Sequence, residues 1–224
     1  PVEYLGAWLA QSFYDPWLGA AVMTAKAWAF FACTDCILKA CGVFHLRALR
    51  FLGPLLLLAM YSPYGFAFLT ALALLAALLG VCLYLKLGSG SSVRAIVAFV
   101  VLCLLLYVAV AGASLVFVTL CGLYELLLRR RGCLGVFEAA FGLLAPCGLG
   151  VLAYGVRPLD AYCRLLPLSW EQTSHSAFRI AISETWVLYL FLPFIVLTLG
   201  TWRLLAGEWA GVSAWLWAIS ARMR

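Results

Sequence analysis

Apolar residues follow one another along this chain in long runs that polar residues interrupt only at intervals. Residues 51–86 hold a single charged side chain, Lys86, at the very end. As one helix that run would extend about 54 Å, against a hydrocarbon layer of about 30 Å. Tyr61-Ser62-Pro63-Tyr64-Gly65 is a natural break in it. The pattern therefore predicts a span over 65–87, with 51–60 completing a helix that starts in the preceding basic stretch. A second apolar run covers 93–128, framed by Arg94 and by Arg129-Arg130-Arg131. It predicts one transmembrane helix, tilted or protruding at its Tyr124-Glu125-Leu126 end. Residues 133–156 form a further span, with Glu138 near one end and a kink expected at Pro146. A final span covers 184–203 and carries Pro193. The two-residue alternation of a membrane barrel strand is absent, so the spans are predicted to be helices.

The remaining segments are more polar. In residues 1–16, Val2, Leu5, Leu9 and Phe13 recur at helical spacing, which predicts an interfacial helix ending at Asp15-Pro16. Residues 17–60 predict one or two helices. The first is either a span over 17–38, with Lys26 snorkelling to the headgroups, or an amphipathic surface helix. Gly88-Ser89-Gly90-Ser91-Ser92 reads as a flexible turn. Residues 157–178 are the most polar part and read as a loop with room for a short surface helix. The tail 204–224 carries Trp209, Trp215 and Trp217, a composition suited to the headgroup level. The expected architecture is all-α: a single polytopic membrane domain, 1–224, with four to six transmembrane helices and interfacial amphipathic segments.

Composition agrees with that pattern and excludes alternatives. Hydrophobic residues make up 67% of the 224 positions and charged residues 11%, and the mean hydropathy is +1.07. A soluble domain carries roughly 45–50% apolar and about 25% charged residues. The surplus of apolar side chains would not fit inside one core, and a disordered chain would be polar instead. The net charge of +6 comes from 15 basic residues scattered at the flanks of apolar runs. That is membrane topology, not a nucleic-acid patch. Arg129, Arg130 and Arg131 form the densest basic cluster and are expected on the positive-inside face. With 93–128 as one span, the Gly-Ser turn at 88–92 falls on the opposite face. The loop 157–183 falls there too, and the tail returns to the basic side.

Nine cysteines, an odd number at irregular spacing, do not form a disulfide framework. Cys33-Thr34-Asp35-Cys36 is a C-x-x-C pair; a metal site would need two more ligands at sensible spacing, and the two nearby candidates, Cys41 and His45, stand four apart on one helix face, so no metal site is expected. Asp35 and Lys39 stand four apart, the spacing of a helical ion pair. Glu138 and Glu184 are the carboxylates expected nearest to bilayer depth, where a proton path would use such groups. Arg179 marks the transition into the last span. No phosphate-binding, zinc-protease or nucleophile-elbow motif is present, so the sequence reads as non-enzymatic, with no cofactor.

The first functional expectation is a structural or accessory subunit of a larger membrane complex, in contact with lipids and partner subunits and not with nucleic acid. Pro1 in place of Met points to processing or truncation. With no signal for extracellular disulfides or N-glycans, the expected setting is an organelle inner membrane, the mitochondrial one first. One alternative is a channel or transporter with Asp35, Lys39, Glu138, Arg179 and Glu184 along its path, Pro146 and Pro193 breaking helices. Another is a processed viral polyprotein product that remodels membranes.

Overall fold

A computed structural model describes residues 2–42, 47–60, 68–88, 90–153, 155, 157, 162, 168–172, 178–182 and 186–202. Helix α1 covers Val2–Gln11 and ends in a 3-10 turn, Ser12–Tyr14. Helix α2 covers Pro16–Ala40. Its start is set locally: the Asp15 carboxylate accepts from Trp17 N at 3.0 Å, and Pro16 fills a first-turn position that needs no donor. A 3-10 turn, Arg47–Phe51, leads into α3, Leu52–Met60. Helices α4, Phe68–Leu87, and α5, Ser92–Val110, follow, with Ser91 Oγ capping α5 by accepting from Arg94 N at 3.3 Å. Helix α6 covers Ser114–Leu123 and widens into a π-helical turn, Tyr124–Leu128. Helix α7, Gly132–Ala145, passes at Pro146 into π-helical winding over Pro146–Ala153, at the position where the sequence predicts a kink. Strands β1, Leu168–Gln172, and β2, Phe178–Ile182, pair antiparallel with Leu168 opposite Ile182. Helix α8 covers Trp186–Trp202. Within the polar loop the described residues include this ribbon, and Trp170, Ile180 and Ile182 suit strands; most of the rest of 157–178 lies outside the described residues.

The protein is an all-α integral membrane protein apart from that ribbon. Four stretches are long and apolar enough to cross a bilayer: Pro16–Ala40, Phe68–Leu87, Ser92–Leu128 and Gly132–Val151. The faces of α5 show why water does not suit it. Ala95, Phe99, Cys103, Tyr107 and Val110 form its buried stripe, while Val93, Val97, Val101, Leu105 and Val108 form an exposed one. A helix that is apolar on its exposed face as well requires lipid there. At α2, Lys26 does not snorkel outward. It is 4% exposed, its Nζ donates to the Phe68 carbonyl at 3.1 Å, and it lies 4.0 Å over the Phe68 ring. A carbonyl with a spare lone pair and an aromatic face replace the headgroups as partners.

The run 93–128, expected as one span, is divided. Ala111–Ala113 forms a tight turn, entered at Val110 with φ −125° and reversed at Ala111 with φ 47°. The rings of Phe99 on α5 and Phe117 on α6 stack at 5.5 Å. Eighteen residues apart in one straight helix they would be about 27 Å apart. Helices α5 and α6 therefore form a hairpin, and α6 runs parallel to α4.

This hairpin corrects the expected topology. Arg129 Nη1 donates to the Gly88 carbonyl at 2.8 Å, so the Gly-Ser turn and the arginine cluster lie at the same end of the bundle. Helix α2 runs beside α4 to that end, where Cys82 Sγ meets the Cys33 carbonyl at 3.8 Å. Helix α8 starts at the far end, where Tyr189 Oη donates to the Thr70 carbonyl at 2.8 Å, and finishes beside Leu127, against which Gly200 packs. The basic groups Lys39, Lys86, Arg94, Arg129, Arg130 and Arg131 thus share one end, which satisfies the positive-inside rule better than the single-span reading did. Small residues let α6 and α7 approach closely: a Cβ on Gly142 would overlap the Val118 side chain, and one on Gly135 would come within 2.5 Å of Leu126 Cγ.

Two measurements test the hairpin. Ala111→Gly is expected to raise stability in detergent by about 1 kcal/mol, because a positive φ costs Ala roughly 1–2 kcal/mol. In a continuous helix the same change would lower stability by about 1 kcal/mol. In a background with native cysteines replaced, Gly90→Cys and Arg130→Cys are expected to react with an impermeant maleimide from the same side of the membrane. Labelling from opposite sides would refute the topology.

Candidate functional site

The turn of α5 onto α6 carries Glu125 back to α4, and the return of α7 carries Glu138 to the same place. Tyr84, near the end of α4, stands between them. Its Oη lies 3.0 Å from Glu125 Oε1 and 2.6 Å from Glu138 Oε1. Both glutamates are 0% exposed and Tyr84 is 1% exposed. The second oxygens, Glu125 Oε2 and Glu138 Oε2, are buried and make no hydrogen bond among the described residues. On the side of the basic end, Arg129 Nη1 reaches Glu125 Oε1 at 3.1 Å and its guanidinium lies 5.5 Å from the Tyr124 ring centroid. Arg129 is one helical turn beyond Glu125, and its side chain is 22% exposed.

Local structure explains how these groups meet. The π-helical turn over Tyr124–Leu128 adds a residue to the helical winding, and Arg129 N accordingly donates to the Tyr124 carbonyl at 3.1 Å. Such turns re-aim side chains and occur often at functional positions. Glu138 lies six residues, about 9 Å, inside the start of α7. It is therefore beyond the first turn, where the helix dipole alone would account for a carboxylate. Toward the bilayer centre the site is closed by aromatic rings. Tyr84 meets Phe99 and Phe117 edge to face at 6.1 and 6.3 Å, and Phe99 meets Phe141 at 6.4 Å.

A hydrogen count sets the chemistry. A phenol donates one hydrogen and a carboxylate donates none. With both glutamates ionised, only one of the two short contacts to Tyr84 is a hydrogen bond. The other places two acceptors against each other in a medium that does not screen them. One proton on the pair turns both contacts into hydrogen bonds. The 2.6 Å separation matches an O–H···O⁻ bond. The arrangement has room for one proton between the two carboxylates, with Arg129 on one side and the aromatic rings on the other.

Of the residues singled out from the sequence, Glu138 is in this site. Asp35 and Lys39 pair as their spacing predicts, at 2.6 Å, and Arg50 Nε reaches the other Asp35 oxygen at 2.9 Å. That cluster lies at the end of α2, with the Lys39 side chain 54% exposed, so it is interfacial and apart from the buried carboxylates. Arg179 lies on β2, paired in register with Glu171 on β1, and Glu184 lies outside the described residues. The backbone of Arg179 is thus placed on the ribbon, apart from the helices that carry the site. The thiols of the C-x-x-C are free, Cys33 buried and Cys36 partly so. Sequence reading missed Glu125 and Tyr84. Glu125 had one signal, its four-residue spacing from Arg129; Tyr84 inside an apolar run had none.

Fold and site together define a polytopic α-helical membrane protein with an occluded carboxylate pair in its bundle. The chain belongs to the Family of unknown function (DUF6057), which it matches over residues 1–222. Comparison with curated proteins and with solved structures gave no match.

Arg129→Gln is expected to lower stability by about 1.5–3 kcal/mol, the loss of a charge-assisted hydrogen bond to a buried acceptor. The double variant Glu125→Gln, Arg129→Gln should recover part of that, because no uncompensated charge stays behind. Denaturation in detergent reads these together with Glu125→Gln alone, and a double-variant loss equal to the sum of the two single losses would mean that the two residues act independently.

Proposed function

We propose that this protein is a membrane transporter that binds and releases a proton at Glu125, Tyr84 and Glu138. The observation that carries the reading is the pair of fully buried carboxylates, each with an oxygen unpartnered among the described residues, bridged by one phenol. Ionisable groups inside a bilayer are costly, and where they occur they mark ion and proton pathways. Arg129 stands between the pair and the basic end and is placed to compete with a proton for Glu125. The ring cluster of Phe99, Phe117 and Phe141 forms the opposite barrier, so transfer requires the helices to move and the site acts as a carrier, not an open pore. No bond of a substrate is broken in this reading, and the protein is not an enzyme.

The second reading is an accessory subunit of a larger membrane complex. It is favoured by an apolar groove of about 270 Å3 lined by Ala27, Trp28, Phe31, Phe51 and Pro54, with Trp28 67% exposed. Lipid covers such a groove as well as a partner subunit does, which places this reading behind the carboxylate site. An organelle inner membrane, as read from the sequence, belongs with it.

The test is proton flux into liposomes containing the purified chain, followed with an enclosed pH dye under an imposed gradient. Glu138→Gln and Glu125→Gln should each cut flux by about 100-fold or more, the lower end of what a positioned proton-transfer group contributes. Tyr84→Phe keeps both carboxylates and should leave a reduced flux. Wild-type flux in both glutamine variants would overturn the proposal.

A further inference from the structure

The basic end holds a second feature, independent of the carboxylate pair. A cleft of about 610 Å3 opens between the start of α5 and the turn into α7. Its polar wall is Ser92, Arg130 and Arg131, and its apolar wall is Ile96, Leu134 and Phe137. Arg130 adopts φ 55°, a left-handed conformation that non-glycine residues rarely take, and this reversal brings two consecutive arginines to one cleft. Arg131 Nη1 is buried and makes no hydrogen bond among the described residues. Helix α7 begins at Gly132 with no side-chain cap, so its first amides add positive potential to the same place.

We propose that this cleft binds the phosphodiester of an anionic phospholipid. The chemistry that fits two guanidinium groups and an uncapped helix start is a phosphate, which Arg grips through paired N–H groups. A volume of this size is that of a small-ligand site and exceeds what a bare phosphate fills. The apolar wall decides between a free phosphate and a lipid. Phe137, which lines the cleft, is itself 41% exposed, so an acyl chain leaving along Ile96 and Phe137 would run over apolar surface of the bundle. Basic pockets between spans on the positive-inside face are suited to anionic headgroups.

The full chain, purified in an uncharged detergent, is titrated with phosphatidylglycerol, phosphatidylcholine and inorganic phosphate, and bound lipid is counted by native mass spectrometry. Phosphatidylglycerol is expected to bind the wild type and to stabilise it against heating, while phosphatidylcholine is not retained. Arg130→Gln, at an exposed position that leaves folding intact, should weaken that binding roughly 5-fold, the worth of one basic residue near an anionic surface, and the double variant Arg130→Gln, Arg131→Gln further. Arg94→Gln, at the same end but outside the cleft lining, should bind as the wild type does. Undiminished binding by the double variant overturns the proposal. So does an Arg94→Gln loss equal to that of Arg130→Gln, which would show diffuse attraction to a basic surface. Retention of inorganic phosphate with equal affinity overturns the lipid assignment in favour of a soluble anion.

Discussion

The apolar stretch Ser92–Leu128 has 37 residues and would be about 55 Å long as one helix, nearly twice the hydrocarbon thickness of a bilayer. Tilt absorbs a few ångströms of such a mismatch, not twenty-five. A chain in lipid must also keep its backbone groups bonded internally, so it turns back as a second helix. The three-residue turn at Ala111–Ala113 is the solution found here. Everything of functional interest depends on it. It brings Phe117 onto Phe99, Glu125 to Tyr84 and Arg129 to the Gly88 carbonyl. It also returns the chain to the basic end before α7 begins, and so delivers Glu138.

Much of the fold was legible because the bilayer imposes lengths. The Asp15-Pro16 step starts α2, Pro146 changes the winding of α7, and α3 ends and α4 starts on either side of Tyr61-Ser62-Pro63-Tyr64-Gly65, which itself lies outside the described residues. The hairpin was not legible because its turn is Val110-Ala111-Gly112-Ala113. None of these residues is polar, and a lone Gly is common within membrane helices. The same arithmetic that divided 51–86 applies equally to 93–128, but only the former contains a turn sequence. One unread turn then reversed the side of the Gly-Ser loop and hid the site.

Charged residues divide accordingly. The Asp35–Lys39 pair was legible from spacing alone, since both partners lie on one helix. Glu138 was legible as a carboxylate in an apolar run. Its partners were not, because Tyr84 and Glu125 are 54 and 13 residues away in sequence and only the packing of α4, α6 and α7 joins them. Lys26 makes the same point from the far end. A lone lysine in a span was expected to reach outward for headgroups, yet the start of α4 gives it a carbonyl and a ring within the protein.

Stability does not account for the buried carboxylates. Replacing a buried ionic cluster with well-packed apolar side chains is often neutral or stabilising by about 1–4 kcal/mol. Leu or Met at positions 125 and 138, with Phe at 84, would fill the same space among Phe99, Phe117 and Phe141 with no desolvation cost and no unpartnered oxygens. The bundle is already held by close α6–α7 packing at Gly135 and Gly142 and by the stacked rings beneath the site. A network that packing does not require, that leaves two oxygens unpartnered among the described residues and in which one proton would turn both Tyr84 contacts into hydrogen bonds favours the proposed chemistry at that place. At this buried position protonation decides whether both contacts to Tyr84 are hydrogen bonds.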